Sequence, residues 1–225
     1  MPQLSTGLIK ADGKKHLTCG KRRKNRTMEN SKRRNTKAII CISGMSGCGK
    51  STVAKQLAKR YDFTYVSGGD ALKALAVEAG YEPAEKGWWE SDEGMRFLQQ
   101  RMGDADFDRK VDRKLMEWAK RGDVVLDSWT MPWLLNEGFK IWLEASPDVR
   151  AKRLAERDGI DVRKASKAMK EKDEKTRAIY RSVYGFNLGE DLSPFSLILD
   201  TDLLDADEVL RALRVVVDRL VLSRC

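Results

Sequence analysis

Gly44-Met45-Ser46-Gly47-Cys48-Gly49-Lys50-Ser51 reads G-x-x-x-x-G-K-S. Glycines at that spacing let a chain fold back so that successive backbone N–H groups point inward, an arrangement that cradles the α- and β-phosphates of a nucleotide. Lys50 then reaches the β/γ-phosphates, and the Ser51 hydroxyl suits a Mg²⁺ ligand. The run follows the apolar stretch Ala38–Ile42 and leads into residues 52–60, whose spacing is helical. That strand–loop–helix context separates a working phosphate loop from a chance match, and the helix N-terminus adds partial positive charge. The spacing predicts a bound nucleoside triphosphate, ATP in the working reading, held by Gly44, Met45, Ser46, Gly47, Cys48, Gly49, Lys50, Ser51 and Thr52.

A second cluster, Ser67-Gly68-Gly69-Asp70-Ala71-Leu72-Lys73, follows the next apolar run. Small residues there let an acceptor approach the backbone, and Lys73, one turn into a helix, reaches an acceptor phosphate. The competing reading makes Asp70 a helix cap and Lys73 a solvated surface charge. In a third cluster, Arg153 and Arg157 share one helix face, and Lys172, Arg177 and Arg181 follow on the next helix. Phosphoryl transfer needs positive charge around the moving group and water kept out, which arginines on a closing flap supply. A solvated basic face is the alternative.

These side chains must be positioned by an alternating frame. Apolar runs at Ala38–Ser43, Phe63–Ser67, Val124–Asp127, Lys140–Ala145 and Ser196–Asp200 read as five strands. Helical stretches read at Lys50–Arg60, Ala71–Gly80, Ser91–Met102, Phe107–Arg121, Pro147–Arg157, Val162–Tyr184 and Ala206–Leu222. Ser146-Pro147 supplies an N-cap with proline at the first helical position, and Asp205–Glu208 resembles a capping box. The expected fold is α/β: a three-layer phosphate-loop fold with a five-stranded parallel sheet covered on both faces. Ligands of such sheets bind beyond the carboxyl ends of the strands.

The net charge of +9 is unevenly divided. Residues 1–37 hold 12 Lys/Arg and 2 acids, which leaves 31 basic and 32 acidic residues in 38–225. Residues 1–36 therefore read as a basic disordered tail, able to hold RNA or another polyanion or to act as a targeting signal. A plain solvated extension, or initiation at Met28, fits equally. No apolar run reaches membrane-spanning length, so no membrane partner is expected. The four scattered cysteines fit neither a zinc site nor a disulfide framework, and a reducing cytoplasm is the expected setting. The only histidine is His16, which excludes histidine catalysis from the core. No N-K-x-D guanine-reading motif is present.

Taken together the clusters resemble the nucleoside monophosphate kinases, and most closely the archaeal-type cytidylate kinase family. The likeness rests on the phosphate loop, Tyr65-Val66-Ser67-Gly68-Gly69-Asp70, Asp106–Arg113, Val124–Asp127, Lys140-Ile141-Trp142-Leu143 and Tyr180…Tyr184-Gly185, and covers roughly residues 38–215. It implies a kinase domain over 37–225, with an acceptor-binding insertion about 67–122 and a lid about 153–182. It also implies transfer of the ATP γ-phosphoryl to a nucleoside monophosphate, CMP or dCMP, by a monomer.

Under that resemblance Ser51 and a water-mediated contact from Asp127 hold Mg²⁺, and Lys50, Arg153, Arg157 and Arg177 act on the transferring group. Ser67, Gly69, Asp70, Lys73, Arg109, Arg113, Asp127 and Trp129 meet the acceptor. The sequence departs from the family where the acceptor is read. Lys73 stands for an arginine, Ser128–Trp133 replaces an arginine-bearing segment, and Ile179 occupies a lid arginine position. Arg109 or Arg113 could compensate, and Trp129 and Trp133 could stack on a base or belong to the core. Trp88-Trp89 is open in the same way. Two rivals remain: a kinase of the same fold with another nucleotide or small-molecule acceptor, and an RNA-associated or regulatory ATPase.

Overall fold

The computed structural model describes residues 37–222. The basic tail expected at 1–36, with any polyanion it holds, lies outside the described residues. Five strands form one sheet in the order β2-β3-β1-β4-β5: β1 (Ile39–Ser43), β2 (Thr64–Ser67), β3 (Val124–Asp127), β4 (Phe139–Glu144) and β5 (Leu197–Asp200). Every pairing is parallel, and β1 lies between β3 and β4, with Ile42 opposite Asp127 on one side and Ile141 on the other. All five residues of β1 and all four of β3 are buried, as expected of strands covered on both faces. The strands thus fall where the apolar runs place them, within a residue at each end.

The helices are α1 (Lys50–Tyr61), α2 (Gly68–Glu78), α3 (Asp92–Gly103), α4 (Asp106–Arg121), the short α5 (Met131–Leu134), α6 (Pro147–Asp158), α7 (Val162–Tyr184) and α8 (Ala206–Val217). On one face of the sheet α1 and α8 enclose Ile40, Ile42, Leu57, Ile141 and Leu213; on the other α2 and α4 enclose Cys41, Leu75, Leu115 and Leu126. Fully burying aliphatic side chains like these contributes about 1.5–3 kcal/mol each against an exposed reference. Starts read from sequence hold in detail. Ser146 caps α6 ahead of Pro147, and Asp205 with Glu208 forms a full capping box on α8.

Ser67, rather than Asp70, caps α2, its hydroxyl accepting from the Asp70 amide, so α2 starts three residues earlier than its periodicity suggests. The helix α5 and a 3-10 turn at Trp88–Glu90 were not expected. At four and three residues both are too short for helical periodicity to register in a sequence window. Trp88 is buried in the α2–α4 core while Trp89 reaches the cleft, and Trp133 stacks on Phe186 with ring centroids 4.0 Å apart. Among the described residues no helix is long and apolar enough to cross a membrane.

Candidate active site

The carboxyl ends of β1, β2 and β3 open into a cleft of about 770 Å³, within the range of ligand sites. Its floor is the loop between β1 and α1. Gly44 has φ +146, and a Cβ there would lie 2.4 Å from the Leu143 carbonyl oxygen; Gly47 has φ +83 with the Arg150 carbonyl 2.8 Å from the same virtual atom. Only glycine tolerates both the backbone angle and the crowding. The helix α1 that follows has no side-chain cap and no acidic residue in its first turn, so its leading amides face the cleft as an anion site. Ser46 to Thr52 line the cleft; Gly44 and Met45 lie behind it, Met45 packed with Trp142 and Leu188. The Cys48 thiol is buried, and burial raises its pKa, so it stays protonated.

Arg150, at the first turn of α6, is buried and braces this loop. Its guanidinium donates to the Ser46 carbonyl at 3.1 Å and to Asp173 of α7 at 2.7 Å. Trp129, just after β3, does something comparable from the opposite side. Its indole N–H donates to the Gly44 carbonyl at 2.7 Å, and the Lys50 ammonium lies 5.2 Å from the ring centroid. A cation over an indole face is attracted by the ring quadrupole. Trp129 therefore lines the cleft, but its N–H is committed to the phosphate loop.

Ser67, Gly69, Asp70, Lys73 and Asp127 all line the same cleft. The Lys73 ammonium donates to the carbonyls of Ala84 and Glu85, at 2.9 and 3.2 Å. Asp127 accepts from the Tyr65 hydroxyl at 3.0 Å.

The remaining arginines sort differently from expectation. Arg109 and Arg113 are exposed and do not reach the cleft. The strong amphipathicity of α4 turns Asp108, Val111 and Asp112 inward, and the helical period carries 109 and 113 outward. Arg177 also stays off the cleft, its Nε donating to the Leu188 carbonyl at 3.2 Å. The cleft-facing row of α7 is instead Lys172, Thr176 and Tyr180, spaced by four. Arg153 lines the cleft, but its guanidinium is tied to Thr201 Oγ1, the carbonyls of Thr201 and Leu204, and Cys48 O. It forms part of the wall after β5 and is not a free cation on a flap. Arg157 lines the cleft and pairs with Glu90 and Asp158.

Sequence reasoning missed the polar floor on the other side. Arg101 of α3, 1% exposed, holds Asp108 through two hydrogen bonds of 3.3 and 2.6 Å. Asp112 accepts from the Thr130 hydroxyl and from the Tyr184 hydroxyl, and Ser128 and Thr130 share a bond of 3.2 Å. Burial pushes Asp112 above the usual carboxylate range, while the two hydroxyl donors pull it down. Arg101, Asp108, Asp112, Ser128 and Thr130 all line the cleft. The one available signal was charge at inward-facing positions of α3 and α4, where an apolar residue would fit the stripe.

A family model described as "Cytidylate kinase-like family" matches residues 39–203. Among curated relatives, the cytidylate kinase of Pyrococcus abyssi is 33% identical over 183 residues, covering 81% of this chain and 94% of that protein. The cytidylate kinase of Methanocaldococcus jannaschii is 32% identical over 187 residues, covering 81% of this chain and 98% of that protein. Among solved structures, a shikimate kinase from Bacteroides thetaiotaomicron superposes with a TM-score of 0.51 at 18% identity, over 81% of this chain and 99% of that one. That last likeness bears on the fold alone.

Proposed function

We propose, for a chain that belongs to the cytidylate kinase-like family and is an ATP-dependent nucleoside monophosphate kinase, that the acceptor is CMP or dCMP. The observation that carries this reading is the buried polar floor beside the phosphate loop. Cytosine presents an amino donor next to ring acceptors, and carboxylates accept from that amino group. Asp108 and Asp112 retain lone pairs beyond the bonds they already accept, since an ionised carboxylate offers about four acceptor sites. Arg101 supplies N–H donors for the ring acceptors beyond the two it gives to Asp108.

In this reading the loop amides and Lys50 hold the donor phosphates. Lys73, in the middle of α2, exchanges its bonds to the Ala84 and Glu85 carbonyls for the acceptor phosphate, and Arg157 and Lys172 add charge over the group in transit. An oxygen of the acceptor phosphate attacks the γ-phosphorus in line with the departing ADP oxygen, with no covalent enzyme intermediate. Acceleration then comes from alignment and from charge stabilisation.

The Ser51 hydroxyl and the Asp127 carboxylate are hard oxygen donors at the cleft and suit Mg²⁺. Among the described residues no cluster of three or more His, Cys, Asp or Glu could hold a metal ion. That fits an ion held by one or two side chains together with substrate phosphates. Mg²⁺ would neutralise phosphate charge there. The cleft runs past Arg153 to Thr201, Leu204 and Asp205, which supports placing the adenosine of ATP beside α6 and the loop after β5.

A second reading, a same-fold kinase with a different small acceptor, is favoured by Trp129. Its indole faces the loop where the family resemblance implies an arginine. A coupled ADP-release assay across CMP, dCMP, UMP, AMP and GMP separates the two. Highest kcat/KM with CMP or dCMP is expected. Preference for another acceptor supports the second reading. ADP formed at the same rate without any acceptor overturns both.

A further inference from the structure

Arg157 and Lys172 line the cleft from different helices, and one carboxylate holds them both. Glu90 ends the 3-10 turn between α2 and α3, and its side chain is 2% exposed. One carboxylate oxygen accepts from Lys172 Nζ at 2.8 Å and the other from Arg157 at 3.0 Å. Lys172 belongs to α7 and Arg157 to α6, so a residue of the acceptor-side insertion clasps both arms of the helical hairpin opposite. Next to it, Trp89 lies with its ring centroid 5.4 Å from the Lys172 ammonium.

A purely structural bridge would place this cluster away from the reacting groups. Here Trp89, Arg157 and Lys172 line the same cleft as Lys50. The Lys172 side chain is only 7% exposed, and it faces Glu90 from the turn, Lys50 from α1 and Arg157 from α6. Two of those three neighbours repel it. An ammonium so buried and so surrounded keeps neither its charge nor its direction without a counter-ion.

We propose that Glu90 is a positioning residue for phosphoryl transfer, clasping Lys172 and Arg157 so that both face the transferring group beside Lys50. The inference rests on reading the cleft as a phosphotransfer site and is independent of which monophosphate is the acceptor. It also gives the acceptor-side insertion a direct hold on the hairpin: movement of the Trp88–Glu90 turn carries both cations with it.

The pH dependence follows from the same contacts. Burial lowers the Lys172 pKa, Glu90 raises it, and Lys50 and Arg157 lower it further. Removing the Glu90 charge deletes the one opposing influence, so neutral Lys172 appears at lower pH than in the native protein. The alkaline fall of kcat should move down in pH accordingly.

The test uses Glu90→Gln, Glu90→Asp, Lys172→Met and the Glu90→Gln/Lys172→Met pair, each assayed with ATP and the monophosphate that wild type turns over best. Glu90→Gln should lower kcat about 10- to 100-fold, the scale of a misplaced reacting group, with ATP KM changed much less. Its alkaline limb should shift to lower pH, and Glu90→Asp should recover part of both effects. The double variant should lose less than the product of the two single losses, because residues acting as a unit are not additive, and what it loses beyond Lys172→Met reports the hold on Arg157.

A Glu90→Gln enzyme with wild-type kcat and an unmoved alkaline limb overturns the proposal, as do strictly additive losses in the double variant. If Glu90→Gln does not fold, the double variant, which leaves no unpaired buried lysine, carries the comparison. Hydrogen exchange over residues 147–184 reads the clasp without turnover: faster exchange in Glu90→Gln is expected, and unchanged exchange overturns it. Wild type that transfers to no monophosphate would count against the phosphotransfer reading itself, a different result from active wild type with an indifferent Glu90→Gln.

Discussion

Two side chains at the phosphate loop make separable predictions. Lys50 lines the cleft at the first turn of α1 and has no part in the core. Lys50→Ala should leave the circular dichroism spectrum intact and lower turnover on the order of 100-fold or more, the usual cost of losing a charge that acts in the transition state. Near-normal turnover would remove the loop from the chemistry. Trp129 meets the loop through its bond to Gly44 and its face under Lys50. Trp129→Phe keeps an aromatic face and loses the N–H donor. We expect ATP KM to rise several-fold while the ranking of monophosphates stays the same, since one lost hydrogen bond is worth about 0.5–1.5 kcal/mol. A changed ranking would mean that the indole reads the acceptor base.

At the scale of elements, α6 and α7 are fastened to the loop through Arg150. Its guanidinium and the Asp173 carboxylate are 7% and 5% exposed, so Arg150→Ala leaves a buried carboxylate with no counter-ion. That should cost about 3–5 kcal/mol of unfolding free energy by urea titration. ATP affinity should fall as well, because the Ser46 carbonyl loses its donor.

On the other side, α4 is joined to the segment after β3 and to the end of α7 through Asp112. Burial raises the Asp112 pKa in the fold. Between the ordinary carboxylate value and the folded one, the native state holds a proton that the unfolded chain has lost. Stability therefore falls as pH rises through that window. An Asp112→Asn variant does not titrate there, so wild-type stability relative to the variant should grow as pH is lowered across the window and stay flat above it. Thermal melts at stepped pH measure this, and a difference that grows with rising pH would show the opposite sign.

For the whole molecule, charge divides sharply: the excess of +9 is carried by residues 1–37, while 38–225 is nearly neutral. The cleft residues named above lie in the described portion, and the family match spans residues 39–203. Deleting residues 1–36 should therefore leave kcat and both KM values within about threefold, as expected for a terminal segment outside the catalytic domain. If full-length protein binds RNA or heparin, that binding should fall sharply on deletion and should depend steeply on salt beforehand. A large loss of turnover would place part of the active site in the first 36 residues.

Much of the fold was legible in one dimension because it is written in local patterns. The five strands are short apolar runs, the caps at Ser146 and Asp205 are spelled in adjacent residues, and the phosphate loop is a contiguous motif whose glycines answer to backbone geometry alone. The sheet order and the partners of individual charges were decided only by tertiary packing. Arg109, Arg113 and Arg177 look equivalent to Arg101, Arg150 and Lys172 as letters. Helix rotation turned the first three away from the cleft and buried the second three in or beside it. Glu90 shows the same limit most plainly, since its partners stand 67 and 82 residues away. A charge acquires its role from what burial places next to it, and that neighbour comes from another element of the fold.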